Sequence, residues 1–351
     1  MFKPTTFLKE LSNLYKIESY KNLQKYLHFF ETLNVQFDER SISHDQFEEY
    51  SNQLKEINNE LNLKDKGSYL QNLLKQEEIY TKLRSYNVDM LALNLYKRLE
   101  KNEGIKDLLE TFKSREKIRY TRSNIVSGRL SIIQGPKLIN LPKKYRNIIK
   151  SKFEYGEICM IDFVSLEPRV ARYIAGSEAG SDIYQEICDK MDFQVDRSVM
   201  KRAVISILYG GGENLEIGEL SSDKIEIIRN SLHEYFNIKY LLDLAMKQDE
   251  WGYRRSYWGR PIHWEGDVRL NQILNGFIQS SAVDVALNGF SQLINEFDEG
   301  IRPLFFIHDA MFVDVKKESK NKLVNLVNKG YNCPSLGKFP LNLELVSERN
   351  V

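Results

Sequence analysis

LFFIHDAMFVDV, residues 304–315, is apolar on both sides of a central His308-Asp309. A run of that length, rich in Phe, Ile and Val, reads as a buried β-strand. An aspartate set in such a run is costly unless something pairs with it. EICMIDF, residues 157–163, repeats the arrangement: a short apolar run reads as a strand and ends in an acid at Asp162. Strands far apart in sequence can be neighbours in one sheet, and Asp162 and Asp309 then converge. Converging carboxylates repel unless they share a proton or bind a divalent cation. Two cations about 4 Å apart activate an attacking hydroxyl and stabilise the leaving oxygen of a phosphoryl transfer. Taken singly, either acid also reads as a strand end beside a turn.

RSVMKRAVISILYGGG, residues 197–212, poses a related question. At about 100° per residue, Arg197, Lys201, Ile205 and Tyr209 climb one helix face. Met200, Ala203, Val204 and Ile207 gather on a second face that supplies the core contact. Asp196 is placed to cap the start, and Gly210 to Gly212 to end the helix. Two cations one turn apart belong either to a solvated basic stripe or to a grip on neighbouring phosphates, Arg through its fork and Lys as a point charge. Tyr209 suits stacking on a base, and a plain stripe gives no account of Tyr209-Gly210 ending it.

With 351 residues and 42% hydrophobic content the chain can bury a sizeable core. Its 50 Lys+Arg against 49 Asp+Glu leave a formal charge of +1, which excludes a uniformly basic coat but not local basic patches. Cys159, Cys188 and Cys333 are far apart, form no CxxC pair, and read as buried reduced thiols. No apolar run approaches the roughly 20 residues that span a membrane. The opening MFKPTTFLKELSNLYK lacks a signal-peptide apolar core. A soluble cytoplasmic protein is expected.

Residues 1 to about 115 read as helix. FEEYSNQLKEINNELNLK places Phe47, Tyr50, Leu54, Ile57 and Leu61 at spacings of three and four, and SYLQNLLKQEEIYTKL and MLALNLYKRLEKNEGIKDLLETF repeat that pattern. Near residue 115 the character changes. SREKIRYTRSNIVSGRLS is basic and loop-like, and QGPKLINLPKKYR carries turn signals at Gly135-Pro136 and Pro142. Mostly helical segments separate the two acid-bearing strands, with a loop or turn near WGYRRSYWGRPIHWEGD.

In this order along the chain, the blocks resemble those of family A DNA polymerases, the DNA polymerase I family. SGRLSIIQGPKLINLP resembles that family's TGRLSS…PNLQNIP segment, DFVSLEPRVA its motif A (DYSQIELR), and RSVMKRAVISILYG its motif B (RxxxKxxxFxxxYG). NGFIQSSAVD resembles NxPIQGTAAD, and HDAMFVDV motif C, HDE with an apolar continuation. FPLNLELVSERN is similar to the terminal strand. The resemblance covers roughly residues 115–351.

The resemblance implies an α+β right-hand architecture. It comprises a mostly helical N-terminal region and thumb over 1–115, an antiparallel-sheet palm over 116–170 and 261–351, and helical fingers over 171–260. It implies a DNA-directed DNA polymerase that extends a primer 3′-hydroxyl with dNTPs. Asp162 and Asp309 would ligate two Mg²⁺ ions, with Mn²⁺ as a substitute. Arg197 and Lys201 would face the triphosphate, Lys201 also as general acid towards the pyrophosphate. Ile205, Tyr209 and Glu167 would complete the nucleotide site, Tyr209 near the templating position and Glu167 where a ribose 2′-hydroxyl would project. A bulky acid there argues for deoxynucleotides. Arg129, Gln279 and His308 would contact the primer-template minor groove or primer end, with Asn275 and Arg169 as further DNA contacts. The implied partners are primer-template DNA, dNTPs and other replication proteins, and no membrane.

The short helical stretch before the first block leads us to expect no 3′–5′ exonuclease, hence no proofreading in this chain. Four positions depart from the family pattern: Ile205 for Phe or Tyr, Ala310 for Glu, Pro168 for Leu and Ile139 for Gln. Two other readings remain open: relaxed template or sugar choice, and a catalytically weak primer-template-binding accessory. Binding alone needs no metal-ligand acids, which argues against the accessory. Abundant Lys, Asn and Ile hint at an AT-rich coding genome such as a phage or plasmid.

Overall fold

A computed structural model describes residues 4–32, 43–65, 69–209, 220–264 and 266–346. Four helices open the chain: α1 (Pro4–Tyr15), α2 (Tyr20–Thr32), α3 (His44–Lys64) and α4 (Tyr69–Lys82). A capping box starts α3, with the Ser43 side chain accepting from the Gln46 N–H and the Gln46 side chain reaching back. Tyr50, Ile57 and Leu61 of its expected apolar face are buried, while Phe47 is exposed. They join Leu11, Tyr15, Leu23 and Leu73 from the other three helices in one cluster.

A second, larger cluster runs from Ile79 to Phe339. The end of α4 and the residues up to Phe112 therefore pack with the rest of the chain, and the core does not divide at residue 115. The segment expected to be all helix also holds a strand, β1 (Tyr86–Val88), before α5 (Met90–Leu99) and α6 (Glu103–Glu110). It pairs antiparallel with β2 (Arg115–Glu116) on one side; the hairpin β3 (Arg119–Thr121) and β4 (Ser131–Gln134) follows, and β5 (Ile149–Lys150) covers its other edge. Three residues carry no periodicity of their own, and this strand exists because distant partners complete its hydrogen bonds.

From β6 (Glu157–Phe163) the chain passes through α7 (Leu166–Ile174), α8 (Ile183–Cys188), α9 (Arg197–Tyr209), α10 (Ser222–Tyr235) and α11 (Ile238–Met246). A short hairpin, β7 (Arg254–Arg255) and β8 (Pro261–Ile262), leads to the long α12 (Leu270–Glu296). Then come β9 (Ile301–Ile307), β10 (Ala310–Val315), α13 (Lys320–Lys329), the hairpin β11 (Tyr331–Cys333) and β12 (Gly337–Phe339), and β13 (Leu341–Leu345). Four strands form the central sheet in the order β13-β6-β10-β9, every pair antiparallel. The long helix α12 is buried along most of its length and packs against α4, α7, α9 and α11.

LFFIHDAMFVDV is thus two strands, where the sequence reads as one. Ala310 pairs with Ile307, so His308 and Asp309 are the two-residue turn of the β9–β10 hairpin. His308 takes the left-handed conformation at φ 53°, which tight hairpin turns require. Two polar residues between apolar runs fit a turn better than a buried strand interior, because the turn leaves their side chains free to face solvent or ligand. The three cysteines are buried and free, as expected. Among the described residues no helix is long and apolar enough to cross a membrane.

Candidate active site

The sheet decides where the two acids meet. Asp162, next to last in β6, lies in register with Ala310 of β10 and with Asn342 of β13. Asp309 immediately precedes Ala310, and its carbonyl accepts from the Phe163 N–H at 3.4 Å. Both carboxylates line one cavity of about 900 Å³. Burial, followed by the charge of Asp309, pushes the Asp162 carboxyl up to about 7. Asp309 is also raised, first by burial, with Glu167 adding to the effect. Ionising both acids is therefore unfavourable without an added positive charge. Among the described residues no three His, Cys, Asp or Glu converge into an all-protein metal cage. Two carboxylates at an open cavity instead suit Mg²⁺, a hard cation that takes its remaining ligands from water and substrate oxygens.

Helix α9 supplies the cations. Arg197, Lys201, Ile205 and Tyr209 all line the cavity, and Met200, Ala203, Val204 and Ile207 on the other face are buried. The sequence folds this way because the apolar face pins the helix and leaves the basic stripe outward. The Asp196 carbonyl accepts from the Met200 N–H at 2.9 Å. The helix is described as far as Tyr209, and Gly210 to Gly212 lie outside the described residues. Arg197 donates from Nε to Asp182 at 2.6 Å and lies over the Tyr184 ring, 5.2 Å from its centre. Both partners of that ion pair are substantially exposed, so it is a weak contact that an incoming anion displaces readily. Lys201 stands 6.0 Å from the same ring centre.

Glu167 is held on two sides. The left-handed turn at Ser165, φ 51°, swings the chain from β6 into α7 and sets Glu167 in the first turn of that helix. Arg129 donates to its Oε1 at 2.6 Å, the Tyr209 hydroxyl donates to its Oε2, and Arg129 also reaches the Tyr209 oxygen at 3.2 Å. Burial and the neighbouring Glu167 charge raise the Tyr209 phenol, so it remains a donor at neutral pH. Pro168 occupies that first turn too, where no intrahelical hydrogen bond is lost to it. Burial, then the Arg129 charge, lowers His308 from 6.5, and the imidazole is neutral at pH 7.

Three expected site residues lie elsewhere. Gln279 and Asn275 sit on α12 one and two turns before Ala282, the first α12 residue in the cavity wall. Asn275 Oδ1 is buried with no partner among the described residues. Arg169, expected at DNA, is instead 2% exposed. Its guanidinium donates to the carbonyls of Val164 at 2.9 Å and Ser181 at 2.7 Å, with Ala179 at 3.5 Å. Helical periodicity alone could not separate an arginine that braces its own turn from one that faces a ligand. We expect Arg169→Met to cost roughly 2–4 kcal/mol of stability in thermal or denaturant unfolding. Primer-template affinity of the folded variant should be unchanged; a selective loss of that affinity would restore the DNA role. In the other direction, Tyr184 and Asn342 line the cavity and went unnoticed in the sequence. Asn342 carried a signal, since it lies in the strand that resembles the family terminus; Tyr184 carried none.

The fold is similar to that of the polymerase domain of Pol1 from M. smegmatis, solved in complex with DNA primer-template and dNTP. The TM-score is 0.52 at 19% identity, over 69% of this chain and 50% of that one. At that identity the likeness is one of fold, and this chain spans half the length of its structural neighbour. No protein-family model matches the sequence, and no curated protein matches it.

Proposed function

We propose that the chain is a template-directed DNA polymerase of the DNA polymerase I family. One observation carries this reading: Asp162 and Asp309, on adjacent antiparallel strands, share a cavity with Arg197 and Lys201 of α9. Two Mg²⁺ ions on the two carboxylates would activate the primer 3′-hydroxyl and neutralise charge at the α-phosphate and pyrophosphate. Arg197 leaves Asp182 to grip the triphosphate through its fork, and Lys201 offers a point charge and a proton to the leaving pyrophosphate. Tyr209 and Ile205 border the base and sugar. Glu167, fixed by Arg129 and Tyr209, fills the space that a ribose 2′-hydroxyl would need. Neutral His308 accepts or donates one hydrogen bond at the primer end. The antiparallel sheet then serves as palm, α9 as part of the fingers, and the N-terminal helices as thumb, with primer-template DNA and dNTPs as ligands.

Primer extension with dNTPs or NTPs on DNA and on RNA templates, each with and without Mg²⁺, tests the proposal. Metal-dependent extension with dNTPs on DNA is the expected result. Primer-template binding without extension under any of these conditions would leave the accessory reading in its place.

Glu167 gives a second, independent expectation. Glu167→Ala should improve the relative use of NTPs over dNTPs by on the order of 10²-fold, read as the ratio of kcat/KM values. Unchanged sugar preference would remove Glu167 from the sugar site.

A further inference from the structure

Behind the loop that carries Arg129 lies a buried polar cluster that the chemistry above does not use. Asp284 on α12 is fully buried, and its Oδ1 accepts from Arg122 at 2.8 Å, Gln76 at 3.0 Å and the Tyr69 hydroxyl at 3.3 Å. Tyr69 and Gln76 belong to α4, so one carboxylate oxygen joins α4, α12 and the start of the β3–β4 connection. From the same guanidinium, Arg122 Nε donates to the Gly128 carbonyl at 2.9 Å, which draws the two ends of that connection together. Arg260 fills the loop, donating to the carbonyls of Val126 at 2.8 Å and Arg122 at 3.3 Å. Gly128 has φ +68°, and a Cβ there would stand 2.6 Å from Arg260 Nε, so a larger side chain is strained by conformation and would push Arg260 aside. Arg129, which grips Glu167 and Tyr209, is the next residue.

As a source of stability this arrangement is poor. Two guanidiniums and one carboxylate are taken out of water, and Asp284 Oδ2 and Arg122 NH2 have no partner among the described residues. Apolar residues of similar volume commonly do as well or better than such a pair. What a directional, fixed-length network provides is a single loop conformation. We propose that Asp284, Arg122 and Arg260 are positioning residues. They hold residues 122–128 so that Arg129 meets Glu167 and Tyr209, and thereby set how strictly the cavity selects the sugar of its nucleotide. The proposal rests on the polymerase reading for the identity of that substrate.

Two variants test it. Arg122→Lys keeps the charge and loses the two-armed contact to Asp284 and Gly128. Asp284→Asn keeps the accepting oxygen and loses the charge. Insertion of a dNTP and of the matching NTP opposite one template base is measured for wild type, for each variant, for Arg129→Ala and for the doubles with Arg129→Ala. Each variant should lower the preference for dNTP over NTP by on the order of tenfold, as expected for a group displaced by a fraction of an ångström. In the Arg129→Ala background neither variant should lower the preference further, because the effect runs through Arg129. An unchanged preference in a folded variant, or a loss that adds to that of Arg129→Ala, overturns the proposal. If Arg122→Lys fails to fold, Asp284→Asn carries the same comparison. A wild-type chain that extends with no nucleotide at all removes the polymerase reading, and this inference with it, which is a different outcome from normal extension with unaltered selectivity.

Discussion

Asp162→Ala and Asp309→Ala should each reduce primer extension by at least about 10³-fold, since losing a metal-bound carboxylate removes several kcal/mol of charge stabilisation. Primer-template affinity should stay close to wild type, because the role proposed for both acids is to hold metal rather than to bind the duplex. Single-turnover extension at saturating dNTP, with a parallel binding titration, separates the two effects. Extension near the wild-type rate in either variant would sink the metal assignment. Stability should move the opposite way. Asp162 sits near 7 in the folded protein against an ordinary value of 3.8, so the folded state binds its proton more tightly than the unfolded state does. Its contribution to stability is complete below about pH 4 and is lost as pH rises through 7. In metal-free buffer Asp162→Asn should therefore melt above wild type at pH 8, and the difference should shrink towards pH 4. A lower Tm for Asp162→Asn at pH 8 would show that the carboxylate is paired within the chain itself.

Lys201→Ala should lower the maximal extension rate by about 10²- to 10³-fold, the range found when one preorganised charge is removed from developing negative charge. Lys201 is exposed, borders the cavity, and acts on Asp162 through its positive charge. Burial at the α9 face anchored by Met200 and Val204 fixes its helix, so the side chain is presented, among the described residues, without a competing hydrogen bond such as Arg197 has with Asp182. Lys201→Arg should recover part of the loss, as it restores charge with a different geometry. The dNTP concentration dependence distinguishes the role: a change in KM alone, with the maximal rate intact, would assign Lys201 to ground-state binding only.

Much of the site could be read from residue order because it rests on two local rules. Helical periodicity put Arg197, Lys201, Ile205 and Tyr209 on one face and Met200, Ala203, Val204 and Ile207 on another, and the structure keeps both. The cost of an acid in an apolar strand singled out Asp162 and Asp309. Helical spacing says nothing of partners that lie in the segments just before and after a helix. Arg169 looks like any other arginine of α7 until the carbonyls of Val164, Ala179 and Ser181 surround it. The turn at His308-Asp309 was hidden because a hairpin and a single long strand share one apolar pattern.

Sequence alone picked out the candidate side chains, since acids set within apolar runs and cations at one-turn spacing are statements about residue type and interval. Tertiary structure decided how they meet. Antiparallel pairing of β10 with β6 set Asp309 one register step from Asp162, a choice that depends on hydrogen bonds between segments with no local relation. Packing of α4, α12 and the β3–β4 loop around Asp284 brought Arg129 to Glu167. No interval along the chain encodes that contact, because a buried charge takes its partners from whatever the fold places beside it.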